Sequence, residues 1–348
     1  MIIYAFIFLN GLFSQPVDLS KEWEINNSFY LKPEIDREVR SKIAKLKHIT
    51  GIIFIQNGSI IFENYYNNYS KNDTNHTFSV TKSFMSALIG QAIDMDLMPK
   101  PESSLSKFFP KHELDISNDI SLYNVLTMTT GYREQITLLN HKWKTTEKLL
   151  SFKSKAQGNF QYNNSACHIN AHAFYHSTGF TPLEFGEKYL FPQLGVKDPK
   201  WDKGYLNIND ASVGLSLRLR DMVKLGQLYL QDGLSGREVI LSKDWIRKST
   251  AAKVETNMGF IFEKILGGYD PPGYGYLWWI EDNNIFIASG YGGQYIIVAP
   301  DLNLVIGTQT SIEFSINPFA IYGAIKLQNM ILLNILNDII PIFDHQPE

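Results

Sequence analysis

The sequence has very little cysteine and no excess of one charge. Its 348 residues include a single cysteine, Cys167, so a disulfide bond within the chain is impossible. The stretch Ala166-Cys167-His168-Ile169 is typical of a buried helix, and we interpret Cys167 as a core residue rather than a thiol nucleophile. The 32 Lys and Arg residues nearly balance the 35 Asp and Glu residues, and neither sign forms a long run. This distribution lacks the basic face that nucleic-acid binding requires.

Long apolar runs are also scarce, and the one at the start of the chain is short. No charged residue precedes Asp18, and residues 1–14 have the length of a signal-peptide core rather than of a membrane span. We therefore predict that residues 1–14 are a signal peptide and that the mature chain, beginning near Gln15, is exported to the periplasm or secreted. The alternatives are a buried amino-terminal strand and a cytoplasmic protein. No later segment is predicted to span a bilayer, so no stable membrane span is expected after removal of the signal.

Two common kinds of catalytic motif are missing. His168, His172 and His176 recur at helical spacing, but no nearby carboxylate and no His-Glu-x-x-His pattern complete a metal site. Helix packing explains these histidines better, and we expect no metal and no cofactor. The sequence also contains no Gly-x-Ser-x-Gly motif, which disfavours an α/β-hydrolase.

Strand patterns lie at both ends of the chain and helical patterns lie between them. Residues 52–63 predict a β-hairpin around the Asn57-Gly58 turn, and residues 34–47 before it have helical periodicity. Further strands are predicted at residues 275–280, 285–288, 294–299 and 304–308. Helices are predicted at residues 79–96, 124–130, 164–175, 181–190, 219–231 and 318–336.

This order of elements predicts an α+β fold. One antiparallel sheet, built from both ends of the chain and flanked by terminal helices, would carry an inserted, mostly helical domain. We place the discontinuous sheet domain at residues 21–98 plus 256–348 and the helical domain at residues 99–255. The active site is expected between the two domains.

The segment Phe78–Phe84 is the most informative part of the sequence. Ser79 precedes Lys82 by three residues at the predicted start of an apolar helix, and side chains at this spacing share a helix face. A lysine there can take the serine's proton if burial or a nearby positive charge favours its neutral form. The pair supplies the two groups that a serine nucleophile without histidine requires, the hydroxyl and a general base.

Two further elements would complete such a site, and both occur in order along the chain. Tyr162-x-Asn164 stands at the start of a predicted helix and offers groups that can move a proton and hold a carbonyl. The glycine-rich segment Ala288–Gln294 leads into a strand, where glycines let a substrate lie close to the backbone.

Together these elements resemble the serine β-lactamase and penicillin-binding-protein superfamily. The Tyr-x-Asn version is similar to the class C β-lactamase-like branch, which also includes esterases, D-aminopeptidases and 6-aminohexanoate-dimer hydrolases. The resemblance spans roughly residues 50–310. The other stretches that match serine hydrolases of this branch are Leu126–Gly131, Arg220–Leu230, Ile240–Trp245 and Tyr274–Trp279.

The resemblance implies a β-lactamase/transpeptidase-like fold and specific roles. Ser79 would be the nucleophile and Lys82 its activating partner. Tyr162 would help to deprotonate Ser79 and then protonate the leaving group, while Asn164 would orient the substrate. The backbone N–H groups of Ser79 and of Tyr291, which follows Gly290, would form the oxyanion hole. The reaction would be acyl transfer to Ser79 followed by hydrolysis of the acyl-enzyme.

One position departs from the family pattern. The third motif usually begins with Lys or His, but here it is Ala288-Ser289-Gly290. The cation that helps to bind the carboxylate of a β-lactam or of D-alanine is therefore absent there. The alternative is that Arg133, which follows Gly131 closely, supplies a cation from elsewhere.

We predict a hydrolase for small ester, amide or peptide substrates. The alternatives are a D-amino-acid peptidase, a DD-carboxypeptidase or a weak β-lactamase acting on peptidoglycan, and a penicillin-binding-like sensor that acylates once without turnover.

Overall fold

The computed structural model describes residues 15–25, 33–46, 48–109, 120–132, 157–204, 207–257, 269, 271–313, 315 and 317–344. The proposed signal peptide and Arg133 lie outside these residues. The helices are α1 (Pro33–Ile43), α2 (Thr81–Asp94), α3 (Leu122–Leu126), α4 (Asn164–Cys167), α5 (Ile169–Thr178), α6 (Pro182–Phe185), α7 (Leu219–Leu230), α8 (Lys243–Ser249), α9 (Pro318–Asn334) and α10 (Ile340–Asp344). Short 3₁₀ turns lie at Phe78–Val80, Leu105–Phe108 and Pro300–Leu302, and π-helical turns at Gly186–Leu190 and Ile335–Ile339.

In the described ranges, the strands form one large antiparallel sheet and two small ones. They are β1 (Ile49–Gln56), β2 (Ser59–Tyr65), β3 (Thr74–His76), β4 (Lys200–Trp201), β5 (Leu215–Arg218), β6 (Leu234–Ser235), β7 (Glu238–Val239), β8 (Val254–Glu255), β9 (Gly273–Tyr274), β10 (Trp279–Ile280), β11 (Phe286–Gly290), β12 (Gln294–Ala299) and β13 (Leu304–Thr310). The large sheet has the order β2-β1-β13-β12-β11-β10-β9-β8, so strands from both ends of the chain meet where β1 pairs with β13. The predicted α+β fold with a sheet built from both ends is confirmed.

Strand β1 shows how the sheet separates two hydrophobic cores. Ile53 and Ile55 face one core, whereas Ile52 and Phe54 face the other. Successive side chains of a strand point to opposite faces, so an unbroken apolar run is what a strand covered on both sides requires. One core includes residues of α2 and α7, and the other includes residues of α1, α9 and α10.

Of two strand predictions from the sequence, the hairpin at residues 52–63 is confirmed and the strand at residues 275–280 is not. The hairpin formed by β1 and β2 is confirmed, and its turn residues Asn57 and Gly58 have φ angles of 51° and 78°. Two successive positive φ angles are the signature of a type I′ turn, which matches the twist of paired strands. The continuous strand predicted at residues 275–280 is wrong, because Leu277 adopts a left-handed φ of 62° and separates β9 from β10.

The last helix is longer than the sequence pattern predicts. The helical path from Pro318 to Asp344 passes through α9, a π turn and α10, and it has the length and apolar composition of a membrane span. The expectation that no segment after residue 14 reaches that length and composition was therefore wrong. In this structure 33% of its most apolar window is buried, with Leu327, Ile331 and Ile335 packed in the core beneath the sheet.

Candidate active site

Ser79 lies in a short turn that leads into the buried helix α2. The turn is tied to strand β5, because the Thr77 hydroxyl donates to the Leu215 carbonyl at 2.8 Å. The Leu215 N–H in turn donates to the Thr81 hydroxyl at 3.2 Å. These bonds connect the segment around Ser79 to the small β3-β5-β4 sheet. Ser79 itself is half-buried and lines a cleft of about 660 Å³.

The Lys82 side chain is 1% exposed and its amine has three polar contacts. The amine nitrogen lies 2.9 Å from Ser79 Oγ, 2.7 Å from Asn164 Oδ1 and 2.8 Å from the Ser212 carbonyl oxygen. Carbonyl oxygens can only accept, so the contacts to Asn164 and Ser212 each use an N–H of the lysine. The third position of the amine therefore faces the Ser79 hydroxyl. With a neutral amine, that position is the lone pair that can accept the serine's proton.

The two carbonyl contacts of Lys82 come from different parts of the chain. Asn164 begins α4, whose first turn is capped by the Asn163 side chain accepting from the Ala166 N–H at 2.7 Å. The Ser212 hydroxyl donates to the Asn164 backbone carbonyl at 2.6 Å, which joins the two contacts to each other. The sequence predicted a substrate-orienting role for Asn164 but no role for Ser212. The only sequence signal at Ser212 is the turn-forming run that precedes it, in which Asp210 Oδ1 accepts from the Ser212 N–H at 2.7 Å.

Tyr162 presents its ring, rather than its hydroxyl, to the lysine. The Lys82 nitrogen lies 4.9 Å from the centre of the Tyr162 ring, within the range of a cation–π contact. The ring stacks on Trp279 with the two centres 5.5 Å apart. Within the described part of the chain, no hydrogen bond joins the Tyr162 hydroxyl to Ser79 or Lys82. Behind the ring, burial and then the neighbouring Tyr162 raise the pKa of Tyr274 well above its ordinary value, so Tyr274 stays protonated.

The turn between β11 and β12 lies beside the nucleophile. The Gly293 N–H donates to the Gly290 carbonyl at 3.1 Å, and Gly292 has a φ of 79°. A positive φ at the third residue is the glycine position of a type II turn, so the fold needs a glycine here. Tyr291 occupies the second position, and its ring lies 5.5 Å from that of Phe78, the residue before Ser79. The structure thus brings the two predicted oxyanion residues, Ser79 and Tyr291, to the same cleft.

Gly290 allows β11 to approach the nucleophile turn closely. A Cβ atom built on Gly290 would lie 2.4 Å from the Thr77 backbone carbonyl oxygen, far inside van der Waals contact. We expect Gly290→Ala to lower kcat for ester hydrolysis by at least about tenfold, because the strand and the turn before Ser79 must move apart and a displaced oxyanion donor costs about 10²–10³. Gly323→Ala is the matched control, since nothing lies within 4 Å of its Cβ position. Equal kcat in the two variants would show that this approach is unimportant.

The cleft is lined by aromatic residues and, among the described residues, by no lysine or arginine. This agrees with the replacement of the usual Lys or His by Ala288. Ala288 is 1% exposed and takes no part in the lining, whereas its neighbour Ser289 does. Gln328 of α9 reaches the same place and donates to the Ser289 hydroxyl at 3.1 Å. No lysine or arginine is among the described residues that line the cleft. Its aromatic residues are Tyr69, Phe78, Tyr162, Trp279 and Tyr291.

The cysteine and two of the three spaced histidines noted in the sequence are buried in the structure. Cys167 is fully buried, and that burial raises the pKa of its thiol and so favours the unreactive form. His168 and His172 are buried against each other, with their Nε2 atoms 3.3 Å apart. Across the described ranges, no group of three or more His, Cys, Asp and Glu residues is arranged to hold a metal ion.

Comparisons with known proteins find similar sequences and similar structures. The family model described as Beta-lactamase matches residues 39–321 of the chain. The 6-aminohexanoate-dimer hydrolase of Paenarthrobacter ureafaciens is 21% identical over 285 residues, covering 74% of this chain and 71% of that protein.

Solved structures share the fold. A candidate beta-lactamase of Bacteroides dorei superposes with a TM-score of 0.69 at 19% identity, covering 87% of this chain and 98% of that one. A penicillin-binding protein of Bacillus halodurans superposes with a TM-score of 0.61 at 15% identity, covering 83% and 99% of the two chains.

Proposed function

The chain belongs to the beta-lactamase family and is a serine hydrolase, and on that premise we propose that it cleaves small ester or amide substrates through an acyl-enzyme on Ser79. The observation that carries the proposal is the environment of Lys82. A buried amine that is held by two carbonyl oxygens, with its third position 2.9 Å from Ser79 Oγ, is built to exchange a proton with that serine.

Acylation follows from the positions of the groups in the cleft. Ser79 Oγ attacks the substrate carbonyl carbon while its proton passes to Lys82. The negative charge that develops on the carbonyl oxygen is stabilised by the backbone N–H groups of Ser79 and Tyr291. When the bond to the leaving group breaks, that group takes the proton that Lys82 accepted from Ser79. Water then attacks the acyl-enzyme, releases the acid and returns the proton to Ser79.

The lining of the cleft supports a neutral, partly apolar substrate. Five Phe, Tyr and Trp side chains line the cleft, and Glu313 is an acidic lining residue. A substrate carboxylate would meet that acid and would find no lysine or arginine among the described lining residues. Separately, the relative named as a 6-aminohexanoate-dimer hydrolase supports the cleavage of short amides.

A substrate panel tests this proposal. We expect p-nitrophenyl acetate and butyrate, and short neutral amide oligomers, to be hydrolysed with kcat/KM at least about tenfold above that for nitrocefin or a D-Ala-D-Ala peptide, because one charged hydrogen bond is worth about 1.5–3 kcal/mol. Comparable turnover of the anionic substrates would instead indicate a peptidase or β-lactamase. Labelling of the protein without steady hydrolysis of any substrate would indicate a sensor that acylates only once.

A further inference from the structure

Phe78, the residue immediately before the nucleophile, has a strained backbone. Its φ is 47°, in the left-handed region that bulky side chains rarely occupy. Such a conformation persists only where its surroundings hold it, and it sets the direction in which the chain enters Ser79. The surroundings of Phe78 therefore contribute to the placement of the nucleophile.

His76 contacts both the backbone and the ring of Phe78. The Phe78 N–H donates to His76 Nδ1 at 3.1 Å, and the two rings pack with their centres 4.4 Å apart. A ring nitrogen that accepts a hydrogen bond carries no proton, so the proton of the neutral imidazole lies on Nε2. The Phe78 ring also contacts the Tyr291 ring, with the two centres 5.5 Å apart. His76 thus contacts the turn that carries the predicted oxyanion donor of Ser79. It also packs on the Phe78 ring, which contacts Tyr291, the residue of the second donor.

We propose that His76 is a positioning residue that holds the Phe78–Ser79 turn in its reactive shape only while its imidazole is neutral. This inference rests on the proposed function, because its main readout is turnover at Ser79. When Nδ1 is protonated, two N–H groups face each other and the hydrogen bond to Phe78 is lost. The turn then relaxes, and acylation slows as the pH falls.

Burial and the charges around His76 together determine the pH at which its imidazole becomes protonated. Asp202 lies closest, with its Oδ2 3.7 Å from His76 Nε2, and Asp210 acts at longer range. Both carboxylates favour the charged imidazole, but burial outweighs them and lowers the pKa of His76 below its ordinary value. The neutral, reactive form therefore predominates at neutral pH, and the hydrogen bond is lost as the pH falls through the lowered pKa.

Replacing His76 by asparagine and by alanine separates the hydrogen bond from the titration. An asparagine oxygen can accept from the N–H two residues further on, as in an Asx turn, and it does not titrate. We expect His76→Asn to keep kcat for a p-nitrophenyl ester within about threefold of the wild type and to lose the acidic decline that His76 causes. We expect His76→Ala to lose about fivefold to tenfold in kcat at neutral pH, the usual value of one hydrogen bond.

Asp202→Asn provides a control that leaves His76 in place. Removing this carboxylate disfavours the charged imidazole, so the acidic decline should move to lower pH while kcat at neutral pH changes little. An acidic decline that persists unchanged in His76→Asn, or that does not move in Asp202→Asn, would overturn the proposal.

A measurement independent of turnover keeps this inference separate from the proposed function. In ¹⁵N NMR of the labelled full chain, His76 should show an unprotonated Nδ1 and a protonated Nε2 at neutral pH. A protonated Nδ1 there would overturn the inference. If instead Ser79→Ala hydrolysed esters as fast as the wild type, the proposed function would fail while the NMR result would still decide the state of His76.

Discussion

Replacing Ser79 by alanine is expected to abolish covalent labelling by a fluorophosphonate and to lower ester hydrolysis by at least about 10³-fold, as expected when a nucleophile is removed. The substitution should change the stability of the fold little, because Ser79 is half-buried in the lining of the cleft. The turn that carries it is held by hydrogen bonds of Thr77 and Thr81. We expect the thermal unfolding temperature to stay within a few degrees of the wild type.

Ser86→Ala is the matched control for this experiment. Ser86 lies two helical turns further along α2 and is fully buried, so its loss tests the general effect of removing a hydroxyl from this helix. Ser86→Ala should label and turn over like the wild type. If Ser79→Ala labelled as strongly as this control, the nucleophile would have to be another residue.

Replacing Lys82 by methionine is expected to have the second largest effect. The substitution removes the group that takes the proton of Ser79, and general-base assistance is typically worth about 10²–10⁴ in rate. It also removes the buried donor that the Ser212 carbonyl has in Lys82. An unsatisfied buried polar group costs about 1–3 kcal/mol, so the free energy of unfolding should fall as well. Steady-state kinetics and thermal unfolding measure the two effects separately.

Lys82→Arg distinguishes the proton-transfer role of Lys82 from a purely electrostatic one. A guanidinium keeps the positive charge and can donate to both carbonyl oxygens, but it does not give up a proton in proteins. We expect this variant to be about as inactive as Lys82→Met, and to recover part of the lost stability. A variant with arginine that retained more than about a tenth of the wild-type kcat would contradict proton transfer through Lys82.

Local patterns predicted much of the fold. The hairpin at Asn57-Gly58 and strand β12 depend on the short-range signals of turn chemistry and β-branched residues, and both are present. The region around Leu277 was mistaken for one strand because its aromatic residues are typical of strands. There the backbone at Gly275 packs closely against the backbone at Ser249, since a Cβ on Gly275 would lie 2.0 Å from the Ser249 carbonyl oxygen. Contacts of this kind join distant parts of the chain and leave no periodic signal.

The site was predictable to a different degree for each residue. Ser79 and Lys82 meet because a spacing of three residues places them on one face of a helix, which the sequence alone contains. Ser212 and His76 were not identified, because each contributes through a main-chain carbonyl or a ring nitrogen whose partner only folding brings near. Gln328 carried no signal either, since it reaches Ser289 from helix α9, 39 residues further along the chain.

Residue type and local spacing define the chemistry available to this protein: a serine and a lysine one helical turn apart, a tyrosine and asparagine pair, and a third motif that begins with Ala288. The environment of that chemistry depends instead on the tertiary fold. It buried Lys82 between two carbonyl oxygens and turned the ring of Tyr162 toward the amine. It also supported the strained backbone of Phe78 with His76. Burial, direction and backbone strain arise from contacts between distant segments, so no local pattern encodes them.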